Sequence, residues 1–266
     1  MGFASEWLDL REPADRAARN PSLLKGATGL AGAGTVVDLG SGTGATLRAL
    51  APGLPDATRW RLLDHDAQLL ATATARHPEA EAVRCDLARL VDLPLEDAVL
   101  VTASALLDLV SEDWLANLVA RLSADKLPFY AALSYNGRMN WEPDLPRDPS
   151  IAAAFNADQR QDKGLGPALG PAAVETASSL FEAAGYVVTV AKSPWWLDAR
   201  QPKLQAQLLE GIAAAAARAG EHDASSWRED RLGLLDEGRC EIGHLDLLAV
   251  PKGMASGREH MGDANG

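Results

Sequence analysis

A chain of 266 residues, 47% of them apolar, can bury one α/β core of ordinary size with some decoration. Its formal net charge of −12 repels a phosphate backbone and no basic face offsets it, so nucleic acid is not an expected partner. No apolar run reaches the roughly 18 to 20 residues of a membrane span. Glu6, Asp9, Arg11 and Glu12 stand where a signal peptide would be apolar, and Cys85 and Cys240 offer neither a disulfide framework nor metal-ligand spacing, so a cytoplasmic, metal-free protein is expected.

Residues 1–30 read as an N-terminal helical cap. Its Arg11 and Arg16 are candidates to reach over a ligand, or else simple surface ion pairs. From 31 to 250, short β-branched or leucine-rich runs alternate with amphipathic stretches, the pattern of a sheet with helices on both faces. Seven strands are predicted, at Thr35–Leu39, Trp60–Asp64, Ala82–Cys85, Ala98–Thr102, Phe129–Ser134, Tyr186–Ala191 and Gly243–Val250, the first five parallel. Trp114, Leu115, Leu118, Val119 and Leu122 recur at helical spacing behind Ser111, a plausible N-cap. Pro171 and Gly185 bracket a helix leading into the sixth strand, and Lys203–Arg218 reads as another. The 36 residues Tyr135–Gly170 read as a lid inserted after the fifth strand, and 251–266 as a disordered tail.

The strongest local signal is TVVDLGSGTGATLRAL, a buried strand followed by Gly40, Gly42 and Gly44 and then a helix. Glycines here permit a tight turn and let a ligand lie against bare backbone at a helix N-terminus, so a nucleotide-like ligand is expected. The stretch Gly40-Ser41-Gly42-Thr43-Gly44-Ala45 also satisfies the looser dinucleotide fingerprint. Asp38 tips the balance, because an acid two residues before the first glycine repels a pyrophosphate yet suits the ammonium of S-adenosylmethionine. Asp64 ends the second strand, where a carboxylate can accept both ribose hydroxyls, and His65 follows it. Asp86, with Leu87 beside it, ends the third strand, where an acid can accept from the exocyclic amine of adenine. Each acid alone could equally cap a helix or face solvent.

The order of these pieces over Thr35 to Val250 resembles the class I S-adenosylmethionine-dependent methyltransferase family. Asp38-Leu-Gly40-Ser-Gly42-Thr-Gly44 is similar to its first motif, Asp64 to its ribose-binding acid and Asp86 to its adenine-side acid, while VLVTASALLDLVS fits its fourth motif only loosely. The resemblance implies a Rossmann-like, mostly parallel seven-stranded sheet of order 3-2-1-4-5-7-6 with strand seven antiparallel. It also implies S-adenosyl-L-methionine as cofactor and a methyltransferase activity.

An acceptor should lie beyond strands four and five, since open α/β sheets bind ligands at the carboxyl ends of their strands. The candidates are Ser104, which could instead contact the cofactor, Asp108, Tyr135, Asn136, Arg138 and Asn140, with Asn156, Gln159, Arg160, Asp162 and Lys163 from the lid. The density of polar groups there suggests a small polar, even anionic, acceptor. Trp195 and Trp196 either wall a pocket or cover a sheet edge, and His244 in its strand reads as structural. Two rival functions remain: an NAD(P)-dependent oxidoreductase, which lacks a Tyr-x-x-x-Lys pair after the fourth or fifth strand, and a protein that binds the cofactor without catalysis.

Overall fold

In the computed structural model, which describes residues 5–255, helices α1 (Ser5–Ala18) and α2 (Pro21–Ala31) meet at Asn20. Asn20 is extended, its side chain accepts from the N–H groups of Ser22 and Leu23, and Pro21 occupies the first helical position, so a second helix starts close to where α1 stops. The main sheet begins with β1 (Thr35–Leu39), α3 (Ala45–Leu50), β2 (Arg59–Asp64), α4 (Ala67–Arg76), β3 (Glu81–Arg84) and β4 (Ala98–Ser104). It continues through α5 (Glu112–Ala124), β5 (Phe129–Glu142), α6 (Asp148–Asp158), α7 (Ala173–Ala183), β6 (Tyr186–Lys192) and β7 (Trp195–Leu197). Helices α8 (Pro202–Arg218) and α9 (Ala224–Leu232), strand β8 (Arg239–Pro251) and the short α10 (Lys252–Ala255) complete it.

The strands lie in the order β3-β2-β1-β4-β5-β8-β6, with β7 paired beside β8. Strands β1 to β5 run parallel, and β8 is antiparallel to both β5 and β6. This is the expected order, with the closing antiparallel strand numbered eight because the three-residue β7 precedes it. Trp195 and Leu197 bury themselves against β8 opposite Ile242 and Cys240, a pairing too short to leave a periodic signal in the sequence.

Strand β5 is also longer than expected. Beyond Ser134 it continues to Glu142, with Met139 and Trp141 buried and Arg138, Asn140 and Glu142 exposed in alternation. Leu133 (φ 59°) and Gly137 (φ 85°) sit within the two register shifts that bend it. The segment expected as a lid is therefore the outer half of β5, helix α6, and a turn in which Asp162 bridges Pro167. At the other end, Pro251 belongs to β8 and residues 252–255 are helical, while 256–266 lie outside the described residues.

Side chains alternate along each strand, so Val36, Leu62 and Leu100 pack beneath α2, α3 and α4 on one face. Val37, Leu63 and Val101 pack beneath α5 and α7 on the other. Ser111 caps α5 as expected, accepting from the Trp114 N–H at 3.2 Å. A third core, built on Tyr135, Met139, Trp141, Ile151, Trp227 and Ile242, fills the space between the β5 extension and helices α6, α8 and α9.

One fully buried carboxylate joins these layers. Asp246 on β8 accepts from the Leu133 N–H (2.9 Å), the Asn20 N–H (2.9 Å) and the Tyr130 hydroxyl (3.2 Å). It thereby holds the bend of β5 and the junction between α1 and α2. Asp246→Ala should cost about 3 to 5 kcal/mol, because two N–H groups lose a charged acceptor. Urea unfolding measures this directly, and a loss below about 1 kcal/mol would show that the junction holds without it.

Candidate functional site

The glycine turn joins β1 to α3 and lies at the carboxyl edge of the parallel strands. Gly40, Gly42 and Gly44 take φ values of 65°, 54° and 84°, a left-handed region that glycine enters without steric cost. Ser41 N–H donates to the Leu63 carbonyl (2.9 Å) and Gly42 N–H to Asp64 Oδ2 (2.8 Å), so the turn is fastened to the end of β2. Asp64 Oδ1 takes the Asp66 N–H at 2.9 Å, and the His65 ring, largely exposed, lies 3.4 Å from the same oxygen.

Beside the turn is a cavity of about 290 Å³ lined by Gly40, Asp64, His65, Asp86, Leu87 and Ser104, together with Leu69, Leu106 and Leu165. Six of the sequence-predicted cofactor residues therefore meet in one place. Trp114 Nε1 donates to the Leu87 carbonyl (2.6 Å), which anchors the loop after β3, and Ala88 N–H donates to Asp86 Oδ1 (3.0 Å). Ser104 Oγ is held from behind by Arg19 Nη2 and shares a 3.0 Å contact with Thr46 Oγ1.

The other residues expected at the cofactor sit behind this cavity. A Cβ on Gly42 would meet Leu8 Cδ1 of α1 at 3.2 Å, and one on Gly44 would meet His77 Cδ2 at 3.1 Å. Ser41 is buried in the turn. Gly40 is the position whose missing side chain opens onto the cavity, between Leu106 and Leu87. Asp38 is buried behind the turn, and Thr102 Oγ1 donates to its Oδ1 at 2.7 Å.

A second chamber, of about 610 Å³, adjoins the first, with Arg11, Ala105, Leu109 and Lys163 lining both. Its apolar wall comes from Trp7, Leu133, Tyr135, Met139, Phe155 and Trp195, with Leu208 and Ile242. Asp108, on the single helical turn Leu107–Leu109 that follows β4, and His244 also line it. Tyr135 and His244 are paired across β5 and β8, and the Tyr135 hydroxyl donates to Asn156 Oδ1 at 2.9 Å.

The chamber gathers Asp108, Tyr135, Gln159 and Lys163 from the expected acceptor set, whereas four others, Arg138, Asn140, Asn136 and Arg160, lie elsewhere. Arg138 falls on the exposed side of β5, as does Asn140, whose amide donates to Glu241 (3.0 Å). Asn136 lies over Gly243, its Oδ1 taking the Arg138 N–H at 3.2 Å. Strand alternation, once β5 extends past Ser134, sends these away from the chamber. Arg160 is exposed and donates to the Asn156 carbonyl at 3.0 Å. Trp195 walls the chamber, while Trp196 is exposed on the opposite side of its strand. Arg16 is exposed and paired with Glu12. No sequence pattern marks Phe155, Leu208 or Ile242 as chamber residues, although Tyr135, Met139 and Trp141 carry an apolar alternation.

Charges around the chamber are mostly matched. Arg11 forms a bidentate pair with Asp15 (2.9 and 3.1 Å), stacks over Trp195, and leaves Asp15 Oδ1 to accept also from Trp195 Nε1 at 3.0 Å. Burial pushes Asp158 up, but hydrogen bonds from Arg218 and Lys163 outweigh it and leave the carboxyl below its usual range. Burial raises Asp108 to about 6, against the pull of its own backbone amide, Arg11 and the Tyr135 amide. Burial, with Arg11 adding to it, drives His244 down to about 3, so its ring is neutral.

No protein-family model and no curated protein matches this chain by sequence. Solved structures do match in shape. A cyclopropane-fatty-acyl-phospholipid synthase-like protein from Lactobacillus casei superposes with a TM-score of 0.53 at 12% identity, covering 94% of either chain. The YcgJ protein from Bacillus subtilis gives 0.52 at 13%, covering 87% of this chain and 97% of its own. A mycolic acid cyclopropane synthase, solved with S-adenosylhomocysteine, gives 0.51 at 12%, covering 86% and 82%. The fold is that of the class I methyltransferases. Within that fold, the cavity against Gly40, Asp64 and Asp86 occupies the carboxyl edge of β1, β2 and β3, and the second chamber lies beyond β4 and β5.

Asp38 offers a test of the buried support behind the turn. Burial raises its carboxyl to about 7, against the pull of Thr102 and Arg19. A raised acid holds its proton longer in the folded state, so its stabilising contribution is full below about pH 4 and is lost as pH rises toward 7. Between pH 5 and 8 the wild type should therefore lose about 2 kcal/mol relative to Asp38→Asn, which cannot ionise. Urea unfolding of both proteins at the two pH values checks this, and a constant difference would mean that Asp38 is already ionised at pH 5.

Proposed function

We propose that this protein transfers the methyl group of S-adenosylmethionine to a small molecule held in the second chamber. The observation that carries the reading is Asp64. Its carboxylate closes the glycine turn through the Gly42 N–H and lines a cavity that continues to Asp86 and Leu87 on one side and Ser104 on the other. In this reading Asp64 holds the ribose hydroxyls, Asp86 and Leu87 border the adenine, and the Gly40 backbone faces the methionine portion.

The bound donor supplies a methyl group already activated by a sulfonium charge. The chain itself has to align an acceptor with that methyl, exclude water, and take up a proton where the acceptor carries one. The chamber is placed for this, because Arg11, Ala105, Leu109 and Lys163 belong to both walls. Helix α1 supports a role for residues 1–30 as a cover, since Leu8 rests on Gly42 and Glu12 pairs with Arg48. The net charge of −12 argues against a nucleic-acid substrate, and no described helix is long and apolar enough to cross a membrane.

The dinucleotide reading loses support here. A doubly wound dinucleotide-binding sheet carries parallel strands in the order 3-2-1-4-5-6, whereas β8 runs antiparallel between β5 and β6.

Calorimetry should detect binding of S-adenosylhomocysteine and none of NADP. Asp64→Ala should weaken the former by about 1.5 to 3 kcal/mol, the worth of hydrogen bonds to a charged group. Because the same change strips the Gly42 and Asp66 N–H groups of their acceptor, a lower melting temperature should accompany it. Less than about a tenfold change in affinity would remove Asp64 from the site.

A further inference from the structure

We propose that the acceptor is a neutral, flat, apolar molecule bearing a hydroxyl group, of the phenol type, and that Asp108 is the catalytic residue that takes the hydroxyl proton. The inference rests on the methyltransferase reading and deepens it by naming the substrate class.

The chamber's charges exclude the alternatives. Three cations line it, and each already has a carboxylate: Arg11 has Asp15, while Lys163 and Arg218 share Asp158. An anionic acceptor would find no unpaired cation among them. Of the carboxylates lining it, Asp158 is taken up by those two cations and Glu210 by Arg228. Asp108 makes no ion pair among the described residues, and its buried Oδ1 has no hydrogen-bond partner. An ammonium-bearing acceptor could use that carboxylate, but it would have to shed its hydration in an apolar chamber and lose a proton before its nitrogen could attack. The sulfonium of a bound donor would repel it further.

A neutral hydroxyl meets neither objection. It donates to the Asp108 carboxylate, which lines the chamber and which burial has made a stronger base than a surface carboxylate while leaving it mostly ionised at neutral pH. His244 carries the chamber's other orphaned polar atom, Nδ1, on a neutral ring able to accept or donate a hydrogen bond to the same molecule. Tyr135, Phe155, Trp195 and Met139 supply flat or adaptable apolar wall, which favours a planar body. In the transfer step the acceptor oxygen bonds to the methyl carbon, the S–C electron pair returns to sulfur, and the hydroxyl proton passes to Asp108. The products are a methyl ether, a neutral thioether and a protonated carboxyl.

The test uses the whole protein saturated with S-adenosylhomocysteine and four naphthalene probes titrated by calorimetry. β-Naphthol should bind at least about tenfold more tightly than naphthalene, β-naphthoate or β-naphthylmethylamine, the worth of one hydrogen bond to a charged acceptor. Asp108→Leu should erase the preference over naphthalene. Asp108→Asn, which still accepts a hydrogen bond but cannot take a proton, should keep β-naphthol within a few-fold while lowering its methylation by about 100-fold or more. Tightest binding of the amine or of the naphthoate would overturn the proposal, as would equal binding of naphthol and naphthalene to the wild type. That comparison needs no variant, so a misfolded mutant does not decide the matter. Failure of S-adenosylhomocysteine itself to bind would overturn the underlying reading too, whereas normal binding with no hydroxyl preference would sink the acceptor class alone.

Discussion

The arrangement of the site depends on a carboxylate that never touches it. Asp246 has no exposed surface, and burying a charge so deeply is tolerable only where hydrogen bonds replace the lost water. It finds three donors, on Leu133, Asn20 and Tyr130. Leu133 is a non-glycine residue at positive φ, a conformation costing about 1 to 3 kcal/mol that persists only where its surroundings impose it. The bend it makes swings the outer half of β5 out to become a chamber wall. Asn20, held by the same carboxylate, fixes where α1 ends, and so places Arg11 where both cavities meet.

Ion pairs then serve geometry more than stability. Arg11–Asp15 lies within one helix and adds little by itself, but Asp15 also accepts from the Trp195 indole, so the pair orients the aromatic wall beneath α1. Asp158 plays the matching part at the far end, drawing Lys163 from the turn after α6 and Arg218 from the end of α8 onto one carboxylate. A chamber walled by β5, α6, α8 and β8 needs such cross-links, since no single layer of backbone hydrogen bonds spans them.

Much of this was legible from residue order alone. The strands from β1 to β4, the helix behind Ser111 and the acids closing β2 and β3 carry local signals: short apolar runs, a capping oxygen, and glycines where positive φ is required. The outer half of β5 was not, because Asn136, Gly137, Arg138 and Asn140 give it the composition of a loop. Only the buried alternates, Tyr135, Met139 and Trp141, mark it as strand, and they face a core supplied by α6, α8 and α9 far along the chain. Strand β7 was hidden for a similar reason, since a three-residue pairing depends on its partner. The chamber is built of such long-range contacts, so sequence alone found Asp108 but neither the orphaned nitrogen of His244 nor the apolar wall around them.

Four aspartates stand at or just beyond the ends of successive strands, and their surroundings give them different work. Asp38 is sealed behind the turn with Thr102 as donor, and burial has raised it to about 7, so at neutral pH it supports the turn about half protonated. Asp64 opens onto the cavity and spends both oxygens on backbone N–H groups, which holds it in place as an acceptor. Asp86 is exposed and fixed only by the Ala88 amide, the arrangement of a rim group that meets a ligand from the solvent side. Asp108 is as buried as Asp64 yet has an oxygen with no donor at all. An unmet acceptor in a buried apolar wall costs the folded protein about 1 to 3 kcal/mol, which a bound molecule could restore only by bringing a donor of its own.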